Sequence, residues 1–117
     1  MRDHRKLDAF QLADELALAV YRATEPFPPS ELYGLTSQMR RSAVSVAANI
    51  VEGSARETEK DYVRFLGIAF GSARELGYFV SLARRLGYLD DQSARNLEES
   101  QQRLAGSLGA LIKALQS

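Results

Sequence analysis

Apolar residues return every three or four positions along nearly the whole chain, and the rhythm breaks hard once, at the proline-rich stretch Glu25–Glu31. That spacing lines one side of an α-helix, and Pro26, Pro28 and Pro29 cannot sit inside one. The pattern predicts four helices, at about 8–24, 35–54, 59–86 and 91–116. Asp8 is a candidate N-cap for the first. Thr58, with Asp61 three residues on, opens the third in the manner of a capping box. Gly87 closes that helix, and Asp90 or Asp91 caps the fourth. Long helices with short connections pack antiparallel, so the expected fold is all-α: one up-down-up-down four-helix bundle domain over residues 1–117.

Each helix face can be read by advancing about 100° per residue. The first helix gathers Ala9, Leu12, Ala13, Leu16, Val20 and Ala23 into one stripe, widened by Phe10, Ala17 and Tyr21. The fourth carries a narrow heptad-like seam of Leu97, Leu104 and Leu111 alternating with Gln101, Leu108 and Leu115. The second helix is apolar over about half its circumference, from Leu35, Met39 and Ala43 through Val44, Val46 and Ala47 to Ile50 and Val51, and Arg40 falls inside that arc. Its other side collects Gln38, Arg41, Ser45, Asn49 and Glu52, short of charge for a solvent face. On the third helix the expected core stripe is Tyr62, Phe65, Ile68, Ala69, Ser72, Leu76, Phe79, Ala83 and Leu86, with Glu75 at its edge. The opposite side bears Val63, Gly67, Phe70, Gly71, Gly77 and Tyr78. A glycine inside a helix costs about 1 kcal/mol relative to alanine. Three beside exposed aromatics predict close approach by another element, so Gly67, Phe70, Gly71, Gly77 and Tyr78 form the candidate oligomer interface.

Composition narrows the chemistry. The 117 residues hold fifteen basic and fifteen acidic side chains. A neutral balance argues against bulk attraction to nucleic acid or an anionic membrane. There is no cysteine for a disulfide, a thiolate metal site or a nucleophile. The charged N-terminus and the lack of a long apolar run lead to the expectation of a cytoplasmic protein with no membrane partner.

Arg40 inside an apolar arc needs an acceptor. Glu75 is the expected partner and Glu52 the second choice, against a phosphate clamp formed by Arg40 and Arg41. Asn49 with Glu52 reads as helix-to-helix hydrogen bonding or capping rather than as a catalytic pair. Ser42, Ser45 and Ser72 read as small residues where helices approach, since no histidine or lysine stands at useful spacing. His4 lacks ligand-spaced companions, and the mid-helix Gly67–Gly71 segment is no phosphate loop. No catalytic residue, metal, cofactor or small-molecule substrate is expected. Arg41, Arg56, Lys60 and Arg64 form a candidate nucleic-acid patch, interleaved with Glu57, Glu59 and Asp61.

The run ELYGLTSQMRRSAVSVAANIVEG, followed by RFLGIAFGSARELGYFVSLARRLGYL, resembles the 23S rRNA intervening-sequence protein family. The resemblance is carried by Phe27, Glu31–Thr36, Gln38, Arg40, Arg41, Ser45, Asn49, Ile50, Glu52 and Gly53. Arg64, Phe65, Gly71, Ser72, Glu75 and Leu76 continue it. It implies an up-down-up-down bundle that assembles as a ring, most often a homopentamer, with no enzymatic activity and with RNA or protein as possible partners. The accessory proteins of diversity-generating retroelements are a similar group, and they imply the alternative of a nucleic-acid-binding accessory module using arginine patches repeated around the ring. Two departures stand out: Ala47 and Ala48 leave the second helix unbroken before Asn49, and Gly77 replaces a common polar residue.

Overall fold

The computed structural model describes residues 2–116. A 3₁₀ turn at His4–Lys6 leads into α1 (Asp8–Thr24), and a second at Pro29–Glu31 precedes α2 (Leu35–Ser54). Two more helices follow, α3 (Glu59–Arg85) and α4 (Asp91–Gln116), and no strand occurs among the described residues. Sequential helices pack on one another and α4 returns to α1, which leaves α1–α3 and α2–α4 as the two diagonals. This is the expected antiparallel bundle. No described helix is long and apolar enough to cross a membrane.

The termini of the helices follow local chemistry. Thr58 Oγ1 accepts from Asp61 N at 3.1 Å, and Gly87 ends α3 with φ +80°. Of the two candidate caps for α4, Asp90 does the work, since its Oδ1 accepts from Ser93 N at 2.7 Å. Asp8 is not a cap: Leu7 occupies that position without a side-chain bond, and Asp8 is the first helical residue. There its charge still favours the positive end of the helix dipole. The start of α2 is capped from a distance, Glu31 Oε1 accepting from Leu35 N at 3.0 Å and its Oε2 accepting from the Tyr88 hydroxyl at 2.9 Å. Tyr88 also stacks on buried Phe27, so the α1–α2 and α3–α4 connections are latched together at one end of the bundle.

The core is a narrow a/d seam. On α3 the buried positions are Tyr62, Leu66, Ala69, Ala73, Leu76, Val80 and Ala83, an unbroken 4-3-4-3 spacing. This corrects the expected stripe, which lies too far toward the α2 side. Ile68 and Leu86 are exposed, and Phe65, Ser72 and Phe79 are half-buried at the α2 flank. Alanines at the centre let α3 sit close to two helices at once, so its larger side chains stand at the edges. On α2, Val44 and Val51 are likewise exposed, while Thr36, Ser42, Gly53 and Ser54 are buried. The fourth helix matches expectation, with Leu97, Gln101, Leu104 and Leu108 buried and Leu111 and Leu115 half-buried.

Two glycines are set by close approach. A Cβ on Gly53 would lie 2.8 Å from Phe65 Cβ, and one on Gly77 would lie 2.9 Å from Gln101 Cδ. Gln101 is buried and donates from Nε2 to the Ala73 carbonyl at 3.0 Å, which fixes the register of α3 on α4.

Candidate functional site

The two polar residues expected to pair do not meet. Arg40 lies on the α1 side of α2, where its Nε donates to Thr24 Oγ1 at 2.9 Å and its Nη2 reaches the Tyr21 carbonyl and Glu25, each at 3.4 Å. Its guanidinium also stacks over the Tyr21 ring at 4.7 Å. Arg40 therefore caps the C-terminal end of α1, where free carbonyls and the helix dipole favour a cation. Glu75 lies on the other side of α2, across the α2–α3 seam, and accepts from Ser42 Oγ at 2.8 Å. The second choice fails too, because Glu52 is held by Arg56 one turn along the same helix. The wheel puts Arg40 inside the apolar arc, and only packing shows that this part of the arc meets α1.

The α2–α3 seam is where the polar side of α2 comes together. Ser45 and Ser72 hydroxyls face each other at 2.9 Å across the two helices. Asn49 Nδ2 donates to the Ser45 carbonyl at 2.8 Å and to its hydroxyl at 3.0 Å, so Asn49 reaches α3 only through Ser45. Gln38, Arg41, Ser42, Ser45, Ser72 and Glu75 line an open groove of about 280 Å³. Arg41 is exposed there and has no hydrogen bond or ion pair among the described residues. The groove offers hydroxyls, one carboxylate and one free guanidinium in a row. These are groups that can donate and accept hydrogen bonds.

The candidate interface on α3 divides. Gly67 and Gly71 are open, with nothing within 4 Å of an added Cβ, and Tyr78 is exposed. Gly77 and Phe70 do not belong with them. Gly77 faces Gln101, and Phe70 is half-buried with its ring 3.7 Å from the Cβ position of Gly109. Both serve the α3–α4 contact inside the chain, because α3 is flanked by neighbours on two sides.

Of the candidate nucleic-acid patch, Arg56 and Arg64 do converge, both over the Phe65 ring at 5.1 and 4.4 Å from its centre. Each also faces a carboxylate, Glu52 and Asp61 respectively. Lys60 is exposed nearby on the next turn. Arg41 is apart from them, roughly three helical turns up the seam. Sequence reasoning missed Arg2, which stacks over Tyr62 at 4.2 Å and donates to the Arg56 carbonyl at 3.0 Å. Nothing in the N-terminal pattern marks a contact that spans half the chain. His4 packs edge-on against Phe10.

Glu31 is bonded to groups from two other parts of the chain. The Leu35 N–H, and then the Tyr88 hydroxyl, hold it below the usual glutamate range, and the same contact pushes Tyr88 up. Both act on the latch at the bundle end.

A structure of a protein of unknown function from the S23 ribosomal protein family of Bacteroides thetaiotaomicron VPI-5482 superposes on this chain with a TM-score of 0.83. The two are 22% identical, over 90% of this chain and 95% of the other, which is a likeness of fold. No curated protein matches the chain. The family model described as 23S rRNA-intervening sequence protein matches residues 5–110, nearly the whole bundle, and the chain belongs to that family.

Proposed function

We propose that the chain is the repeating subunit of a non-enzymatic homo-oligomeric scaffold, a closed ring of five copies that offers its outer surface to RNA or to another protein. One observation carries this reading: large apolar side chains stand in solvent on three helices. Leu18 on α1, Val44 and Val51 on α2, and Ile68 and Tyr78 on α3 are between 38% and 58% exposed. Scattered singly such residues mean little, but these follow adjacent helices around one side of the bundle. The α1–α2 edge and the α2–α3 edge carry different side chains, so contact between unlike edges is head-to-tail. Such contacts form a ring where the rotation between neighbouring copies closes the circle. The open polar groove beside α2 fits the same reading, because its hydroxyls and Arg41 would be met by a neighbouring copy.

Light scattering with native mass spectrometry over a dilution series tests it. The expected species is five times the 13.0 kDa subunit mass. A particle of 13.0 kDa at every concentration overturns the proposal.

A further inference from the structure

Exposed apolar side chains are spread unevenly around the bundle. Tyr21 lies under the Arg40 guanidinium with Leu18 three residues away, so both border the α1–α2 side. Val44 and Val51 stand on the same flank of α2 as Arg40. Ile68 and Leu86 share the flank of α3 that carries Ser72, the partner of Ser45, and so border the α2–α3 side. Tyr78 is at the outer corner of α3, and α4 has no exposed large apolar side chain among the described residues. The two apolar sides are therefore adjacent ones that share α2. Adjacent sides of a four-helix bundle meet at about a right angle, near the interior angle of about 108° at which five copies close. A ring built on these sides turns α2 toward its axis and α4 toward solvent.

The outward line of α2 suits that place. Within about 60° of it, at 100° per residue, stand Ser37, Val44, Ser45, Ala48 and Val51, with Arg41 and Glu52 the only charged side chains. Glu52 is held by Arg56 and lies about three turns from Arg41. Arg41 is exposed and has no hydrogen bond or ion pair among the described residues, and Glu75, in the same groove, accepts from Ser42 instead.

We infer that the ring carries an anion site on its axis, formed by one Arg41 from each copy and taking a compact, multiply charged oxyanion. This rests on the ring proposed above and names what its centre holds. Helices in contact, with axes about 8–10 Å apart, lie about 7–9 Å from the centre that five of them surround. Side chains on the inward line, reaching about 5–6 Å from their helix axis, cover most of that distance. Symmetry brings the five guanidiniums to one level, where like charges repel and the forked N–H donors lack acceptors. An oxyanion on the axis relieves the repulsion and accepts those donors in the geometry that suits guanidinium. A single copy has no such site, only one solvated arginine.

Isothermal titration of the wild-type protein with inorganic tripolyphosphate at low salt is the test, with light scattering on the same samples. One tripolyphosphate should bind per oligomer, not per chain, and more weakly as salt is raised. Arg41→Gln removes an exposed charge without an internal bond, so it should stay folded and oligomeric and bind weaker by about tenfold or more. Arg95→Gln, on the exposed face of α4, should bind as the wild type does. A wild-type particle of 13.0 kDa at every concentration removes the ring reading itself. With the oligomer intact, any of four results leaves that reading standing and overturns the axial site. One is a stoichiometry of one anion per chain, and another is equal loss of binding in Arg41→Gln and Arg95→Gln. The third is an Arg41→Gln variant that binds like the wild type or falls to a monomer. The last is no binding at all, the Arg41 charges then being met by carboxylates of neighbouring copies.

Discussion

Replacing Gly77 by alanine sets two effects of opposite sign against each other. Alanine is the better helix former by about 1 kcal/mol, and on an open helical face that gain is kept. At Gly77 the new methyl would lie 2.9–3.0 Å from the carboxamide of Gln101. Gln101 is 7% exposed and bonded to the Ala73 carbonyl at 3.0 Å, so its amide can retreat only by breaking that bond in a buried site. Overpacking of this kind costs about 1–3 kcal/mol, and the lost hydrogen bond about 1 kcal/mol more. The balance predicts a net loss of about 1–3 kcal/mol, or roughly 4–12 °C in Tm for a chain of this size. Gly106→Ala is the internal control, because nothing lies within 4 Å of its Cβ position, and it should stabilise by up to about 1 kcal/mol. In a Gln101→Ala background the clash is gone, so Gly77→Ala should change sign and stabilise. Urea unfolding followed by circular dichroism, at one protein concentration for all four variants, gives the cycle. If Gly77→Ala stabilises the wild type as much as Gly106→Ala does, the close packing of α3 on α4 around Gln101 is wrong.

Three further outcomes are expected. Arg40→Ala should cost about 2 kcal/mol, because a guanidinium bonded to Thr24 Oγ1 and the Tyr21 carbonyl at the end of α1 is lost. Its effect should add to that of Glu75→Ala within about 0.5 kcal/mol, since the two groups face different helices; a coupling above 1 kcal/mol in urea unfolding would contradict this placement. Stability should fall as pH drops through the ordinary carboxylate range, because the folded state holds the Glu31 pKa down and protonation releases the Leu35 N–H. It should fall again as pH rises past the range of a free tyrosine, because the same carboxylate holds Tyr88 protonated in the fold; Glu31→Gln should flatten both limbs, as read by Tm against pH. Removing either hydroxyl of the Ser45–Ser72 pair should cost about 1 kcal/mol, and the double Ser→Ala change little more than one alone, as urea unfolding of the three variants would show.

Helix number, order and ends could be read from the sequence because they rest on local rules: prolines that cannot be helical, Thr58 and Asp90 that cap, Gly87 that stops. The narrow seam of α4 was readable as well, since that helix is polar everywhere else. What failed was the assignment of edges. Phe65, Ile68 and Phe79 outweigh Ala73 on any hydrophobicity scale, yet Ala73 is fully buried and Ile68 is 43% exposed. A wheel weights side chains by their own character, whereas a bundle with close axes gives its centre to small residues. The same limit misled the reading of Arg40 and Gly77. The wheel sets Arg40 inside the apolar arc of α2 and Gly77 on the side of α3 opposite its stripe, and only three-dimensional packing shows that one meets α1 and the other α4.

The residues that carry the family resemblance can now be divided by what they do. Glu31 latches two connections, Arg40 caps α1, Ser45 and Ser72 join α2 to α3, Gly53 admits Phe65, and Glu75 receives Ser42. All of these act inside one chain. Tyr33, Gln38, Arg41 and Gly71 have no such explanation. Tyr33 is 94% exposed at the end of a proline-stiffened connection, Gln38 and Arg41 line the open groove, and Gly71 leaves a hollow where any other helical residue would be more stable alone. A rigid frame that holds a bare tyrosine, a free guanidinium and an empty glycine face toward solvent is not optimised for the isolated chain. The proposed assembly gives them a rationale outside it, and the glycine is the most telling of the four, since a methyl there would strengthen the monomer and in that assembly only a neighbour stands to lose by it.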